Sequence, residues 1–245
     1  MKSLSVCTIV QDEEEPIRWY LECCAYLALQ AGDLLREVVL VDGGSKDGTI
    51  DIINSYRSKI PIHLVHREFD TARRQMDAGQ EHCTGDMIFC PDADMTWTMN
   101  LGSMLKAGYF DGPGCWQFYM MFTAKDAYHF FNKWPMGTNM RMYDKKYHWN
   151  KKREYHVMLG APDDAVAFCP TMVVFENSAR ISDPQALLNR GLRRQVYKER
   201  MHLEGMGPGE VSRFVDLKRR VESGEESIAL LPDYILNNVL SSTNV

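Results

Sequence analysis

No stretch of about 18 consecutive apolar residues occurs in this sequence, so no membrane-spanning helix is expected. The opening MKSLSVCTIVQDEEEP also lacks an apolar segment long enough for a secretory signal. No Cys-x-x-Cys pair is present, which excludes the common zinc-binding spacings. The 7 cysteines are odd in number and scattered. Cys7, Cys90 and Cys169 sit inside apolar runs, where buried free thiols are expected, and the adjacent Cys23 and Cys24 do not readily bridge each other. A reducing, cytoplasmic setting follows. There is no internal repeat and no low-complexity linker. Nor is there an excess of positive charge: the net charge is −5, so no global attraction to nucleic acid or an anionic membrane is expected.

What is present is an ordinary globular composition over 245 residues, 45% hydrophobic and 25% charged. Residues 4–10 (LSVCTIV) read as a buried strand. Residues 13–31 begin with acids and a proline and stop before Gly32, which predicts a helix. Residues 37–41 (EVVLV) predict a second strand, 47–58 a helix, 62–65 a third strand, 70–83 a helix and 87–90 a fourth strand. This alternation implies parallel strands with helices on both faces. Ligands of such sheets bind beyond the carboxyl ends of the strands. Farther on, 115–123 and 166–175 predict strands, and 184–204 and 209–222 predict helices. Trp116, Trp134 and Trp149 offer faces on which a sugar could stack, although at least two of them are expected in the core.

Two motifs fall at the ligand-binding edge. V-D-G-G-S-K-D-G-T, residues 41–49, follows the second strand. Its glycines permit a sharp turn and close approach to a ligand. Asp42 can accept hydrogen bonds from a nucleotide base or ribose, and Asp47 and Thr49 can cap the next helix. The same residues would also serve a capped strand-to-helix turn that binds nothing. D-A-D, residues 92–94, follows the fourth strand. Two carboxylates this close repel unless a cation sits beside them, and hard oxygen donors suit Mg²⁺ or Mn²⁺ bridging a diphosphate. A solvated acidic turn would look alike in sequence.

Together these motifs resemble glycosyltransferase family 2, over roughly residues 3–100. SVCTIVQDEEEPIRWYLE is similar to the family's first strand and acidic helix start. VVLVDGGSKDGTIDII is similar to its nucleotide loop, and FDTARRQMDAGQEHCTGDMIFCPDADM to its Arg-bearing helix and D-x-D. The resemblance implies an α/β GT-A fold: a Rossmann-like, mostly parallel sheet with helices on both faces and a smaller acceptor-side subregion. It implies one domain, with a nucleotide-sugar half at 1–100, an acceptor half at 101–232 and a tail at 233–245. It also implies inverting transfer of a hexosyl or pentosyl group from a nucleotide-sugar donor, UDP by default, assisted by Mn²⁺ or Mg²⁺.

By the same resemblance Asp42 lies at the base or ribose, with Asp12 and Glu13 beside the same pocket. Arg73 reaches toward the nucleotide, with Arg74 an equal candidate. Asp92 faces ribose or metal-bound water, and Asp94 ligates the metal. Residues 139–159 resemble a branch in which an Arg-bearing strand precedes a His-Glu pair. Arg141 and His156 occupy those places, with His156 a metal ligand, but residue 157 is Val where the branch has Glu. The acceptor hydroxyl needs a carboxylate base. In the family that base lies well downstream of D-x-D. Asp164, ahead of Asp163, is the candidate, with Glu154 and Glu176 in reserve. The acceptor is a carbohydrate or a lipid-linked sugar. The basic clusters at 145–153 and 190–200 also raise a DNA base as acceptor, beside the plainer reading of solvated charged faces. Two rivals are a nucleotidyltransferase, disfavoured by acids where a triphosphate loop would stand, and a non-catalytic nucleotide-sugar-binding protein.

Overall fold

The computed structural model describes residues 1–123, 129–131, 137–149, 151, 154, 159–177 and 228–230. The helices expected at 184–204 and 209–222, the tail, Trp134 and His156 lie outside the described residues. The first half runs β1 (Leu4–Val10), α1 (Pro16–Ala31), β2 (Leu35–Asp42), α2 (Thr49–Ser55), β3 (Ile62–His66), α3 (Ala72–His82) and β4 (Met87–Phe89). Then follow β5 (Met95–Trp97), α4 (Leu101–Lys106), β6 (Cys115–Phe122), β7 (His129–Phe131), β8 (Gly137–Asp144), β9 (Val166–Glu176) and β10 (Ile228–Leu230).

Eight strands form one sheet in the order β3-β2-β1-β4-β8-β6-β9-β5, and β10 pairs with β7 apart from it. The first four in that order are all parallel. β8 enters antiparallel beside β4 and is flanked by β6, also antiparallel to it. β9 is parallel to β6, and the short β5 closes the edge antiparallel to β9. The sheet is thus a parallel half joined to a mixed half, and β8 carries residues of the second half of the chain into its middle.

Alternation along the strands explains why both faces are covered. Val6, Leu40 and Phe89 turn to the face where α1 lays down Ile17, Tyr20, Leu21 and Leu27. Cys7, Val39, Val41, Ile88 and Cys90 turn to the other face, under Met76 of α3. Trp116 and Trp149 are both buried, each in one of these two cores. α3 packs unusually close: a methyl group placed on Gly79 would stand 2.4 Å from the Cys7 sulfur and 3.0 Å from Val41 Cγ2. Glycine is required there by proximity.

Candidate functional site

β1, β2 and β3 end level with one another at Val10, Asp42 and His66, while β4 ends at Phe89, level with Val6, and the chain runs on through Cys90 and Pro91 toward the same edge. The turns after β1 and β2 are tied to one another. Asp12 adopts a left-handed backbone (φ 51°), which is uncommon for a residue with a side chain. That turn lets its amide donate to Ser45 Oγ at 3.0 Å and its carboxylate accept from the Lys46 amide at 2.7 Å. The Glu13 amide donates to Thr49 Oγ1 at 2.8 Å, and the Gly48 amide donates to Glu14 at 3.0 Å. Asp47 accepts from the Thr49 amide at 3.0 Å and from the Thr49 hydroxyl at 2.5 Å, but the N-cap position of α2 is Gly48, so neither Asp47 nor Thr49 is its side-chain cap. Asp12 and Glu13 therefore fasten the acidic turn after β1 to the glycine-bearing turn after β2.

Asp42 ends β2 and is 4% exposed. Its Oδ1 accepts from the Ser45 amide at 3.0 Å, and its Oδ2 faces His66 Nδ1 at 3.4 Å. His66 is the register partner of Asp42 on β3. Nothing in the local sequence around His66 marks it. Only strand pairing reveals it.

Across β1 stands the D-A-D turn. β2 and β4 flank β1, so Asp42 at the end of β2 and the turn that follows β4 stand on either side of β1. The Met95 amide donates to the Asp92 carbonyl at 2.9 Å, closing a tight turn. Both Asp92 oxygens accept from Arg141 of β8, each at 3.0 Å. Burial works against the Arg141 charge, but the Asp92 carboxylate outweighs it and holds the guanidinium above its ordinary value. Asp94 is 6% exposed, and its carbonyl accepts from the backbone and side-chain nitrogens of Asn177, both at 3.0 Å. Asn177 follows Glu176, which pairs with Met95 across β5 and β9 and is itself buried. The corner thus gathers Asp92, Asp94, Arg141, Glu176 and Asn177 at the carboxyl edge.

The family model described as Glycosyl transferase family 2 matches residues 5–179. The chain belongs to that family. Among solved structures, the chain is similar to Staphylococcus aureus TarS 1–349 in complex with UDP-GlcNAc. The identity is 13% over 82% of this chain and 65% of that one, with a TM-score of 0.55. Against S. aureus TarS the identity is 11%, the TM-score 0.54, and the coverage 89% of this chain but 43% of TarS. Against the mannosyltransferase PcManGT from Pyrobaculum calidifontis, in complex with GDP-Man and Mn²⁺, the identity is 15%. That match covers 90% of this chain and 70% of PcManGT, with a TM-score of 0.50. The shared architecture is the GT-A fold. No curated protein sequence matches the chain.

The remaining candidates divide by which edge of this family 2 sheet they occupy. Arg73 lies at the carboxyl edge, at the start of α3, but it is engaged by Glu154 at 2.6 Å and Asp77 at 2.5 Å. The Glu154 carbonyl accepts from the Arg73 amide at 2.9 Å, and its carboxylate accepts from Thr71 Oγ1 at 2.8 Å. Burial pushes the Glu154 carboxyl up, but Arg73 and Thr71 outweigh it and hold it below its ordinary value. Arg74 is more exposed and, like Arg67, pairs with Asp70. The bidentate Arg67 holds Asp70 well below the usual carboxylate range.

Asp163 and Asp164 are not brought to the D-A-D corner. They form an exposed 3₁₀ turn just before Val166, which pairs with Cys115 at the start of β6. Cys115 pairs with Tyr143, and Asp144 pairs with Met87 at the start of β4. The two aspartates therefore sit at the amino edge, about 23 Å from the Glu176 end by the rise along β6. The expectation that either serves as base is corrected on that ground: the strand they precede runs toward the site from the far side.

The described part of the basic cluster at 145–153 is at that far edge too. Lys145 donates to the Cys83 carbonyl, and Gln80 donates to the Tyr147 carbonyl at 2.8 Å. These residues cover the end of α3, at the edge away from the D-A-D turn. The cluster at 190–200 lies outside the described residues.

A divalent ion suits the donors at the D-A-D turn. Among the described residues no group of three or more His, Cys, Asp or Glu side chains forms a metal cage. Mg²⁺-like ions at phosphate sites need no such cage: one or two carboxylates, water and the phosphates themselves complete the shell. Asp92 and Asp94 are the carboxylates at that turn, Asp92 with both oxygens on Arg141.

Proposed function

We propose that the chain transfers a sugar, hexosyl or pentosyl, from a UDP-sugar to an acceptor hydroxyl with inversion, assisted by Mn²⁺ or Mg²⁺. The observation that carries this reading is the placement of Asp42 and the D-A-D turn on either side of β1 at the carboxyl edge. That placement leaves one side of β1 for a nucleoside and the other for a diphosphate. Asp42 receives the base or ribose. Asp12 and Glu13 keep the intervening turn closed. Asp94 and Asp92 would hold the ion, which when bound acts as a Lewis acid toward the departing diphosphate. The donors carried by TarS 1–349 and PcManGT, and the Mn²⁺ in PcManGT, support a nucleotide-sugar and a metal.

For the base, Glu176 replaces Asp163 and Asp164. Its pairing with Met95, beside the Asn177 contacts to Asp94, supports a carboxylate within reach of the sugar's reacting face. The acceptor in this reading is a carbohydrate or a lipid-linked sugar. The whole 245-residue chain acts as one domain in a reducing cytoplasm, which the 7 free, buried cysteines support.

The test is release of UDP from UDP-sugars in the presence of Mn²⁺, with water or added acceptor. Glu176→Gln should lower kcat about 10²–10⁴-fold while the donor KM changes little. Unchanged kcat would remove Glu176 as base, and no UDP release from any donor by the parent would remove the reading itself.

A further inference from the structure

Two histidines meet on the side of the molecule away from the donor corner. His63 is on β3, which stands at the edge of the eight-stranded sheet, and His82 is the last residue of α3. α3 starts at the carboxyl edge with Arg73, so His82 lies toward the amino edge. Side chains alternate along a strand, so His63 and Val65 turn to one face, and Val65 packs there in the core that holds Met76 of α3. The imidazole rings of His63 and His82 stand 4.6 Å apart between centroids, tilted by 55°. Both residues are exposed.

That separation fits a shared metal ion. A first-row ion binds an imidazole nitrogen at about 2.0–2.1 Å, which puts each ring centre about 3.2 Å from the ion. Two imidazoles in neighbouring positions of a square-planar or tetrahedral ion then have centroids about 4.5–5.2 Å apart. The surroundings favour a cation. His82 is in the last turn of an 11-residue helix, at the negative end of its dipole. Glu37 stands two residues before Val39, the register partner of His63, and so on the same face of the sheet. Its carboxylate is held beside the end of α3 by the Thr84 amide at 2.9 Å and the Thr84 hydroxyl at 2.5 Å. Among the described residues no group of three or more His, Cys, Asp or Glu side chains forms a cage, so water would fill the remaining positions.

We propose that His63 and His82 form a two-imidazole site for a divalent ion of the Ni²⁺, Cu²⁺ or Zn²⁺ class, bridging the edge strand to the end of α3. Imidazole nitrogen suits those ions, whereas carboxylate and phosphate oxygens suit Mg²⁺ and Mn²⁺. The site therefore differs from the D-A-D turn both in place and in the ion it selects. A bound ion cross-links β3 to the helix that covers it and stabilises the folded chain by mass action.

The experiment titrates the metal-free full chain with Ni²⁺ by calorimetry and melts the same samples with and without Ni²⁺. Ni²⁺ should bind the parent and raise its Tm. Losing even a group that only supports a metal ligand costs about 10–100-fold in affinity. His63→Gln and His82→Gln should therefore each weaken Ni²⁺ binding at least about tenfold and remove the rise in Tm, because either leaves a single imidazole. Both side chains are exposed, so the variants should melt like the parent when no metal is added. Two rings in contact without a ligand role predict no Ni²⁺-induced rise, or a rise that survives both substitutions, and either result overturns the proposal. Loss of binding in only one of the two variants overturns it as well, because the ion would then be held elsewhere.

Discussion

Glu154 shows how a single residue can be recognisable in type and misread in role. As a carboxylate downstream of D-x-D it was a reserve base, yet it is committed to Arg73, the Thr71 hydroxyl and the start of α3. Those donors hold its carboxyl below its ordinary value against the opposing effect of burial. Its stabilising contribution is therefore complete above the unfolded value of about 4.3 and is lost as pH falls through the lower, folded value. Glu154→Gln should cost about 1 kcal/mol in urea unfolding at pH 7, a modest figure because the pair is partly solvated. The cost should shrink steadily below about pH 4. A cost that is the same at pH 7 and pH 3 would contradict the ion-pair account. Arg73 shows the same limit. Its position on the helix before D-x-D was legible, but the two carboxylates that engage it come from Asp77 and from Glu154, and the latter could be found only in three dimensions.

At the scale of elements, the strands with continuous apolar runs were readable, as were the helices bounded by clear start and stop signals. β1, α1, β2, β3, α3 and β4 fall where periodicity and punctuation put them, within a few residues. α2 ends at Ser55, three residues short of the expected 58, in a turn closed by Tyr56. β5 and α4 are too short, at 3 and 6 residues, to carry a periodic signal. β8 is polar at Asn139, Arg141 and Asp144, so its strand character comes from being sandwiched between β4 and β6. Packing can likewise override local preference at Gly79. Alanine would favour the helix by up to about 1 kcal/mol, but its methyl group would meet the Cys7 sulfur at 2.4 Å. Gly79→Ala should therefore destabilise by about 1–3 kcal/mol in urea unfolding. A stabilised variant would show that α3 is free to move off the sheet.

Across the whole molecule, the legible half of the site is the half built from nearby sequence. Asp42 and the D-A-D turn each follow an apolar strand, and their shared edge follows from the βα alternation. The other half arrives over long separations. Arg141 reaches Asp92 across 49 residues and Asn177 reaches Asp94 across 83. No local pattern encodes such contacts, which depend on the antiparallel entry of β8 and the return of β9. That is also why Asp163 and Asp164 attracted attention while Glu176, at the other end of the same strand, is the carboxylate beside the corner. The account as a whole depends on a divalent ion meeting Asp94. The most direct measurement is an anomalous-scattering map from crystals of the chain grown with Mn²⁺ and UDP. The account predicts a manganese peak about 2.1 Å from an Asp94 carboxylate oxygen, in contact with the diphosphate. UDP bound with no manganese at Asp94, or manganese held elsewhere, would contradict it.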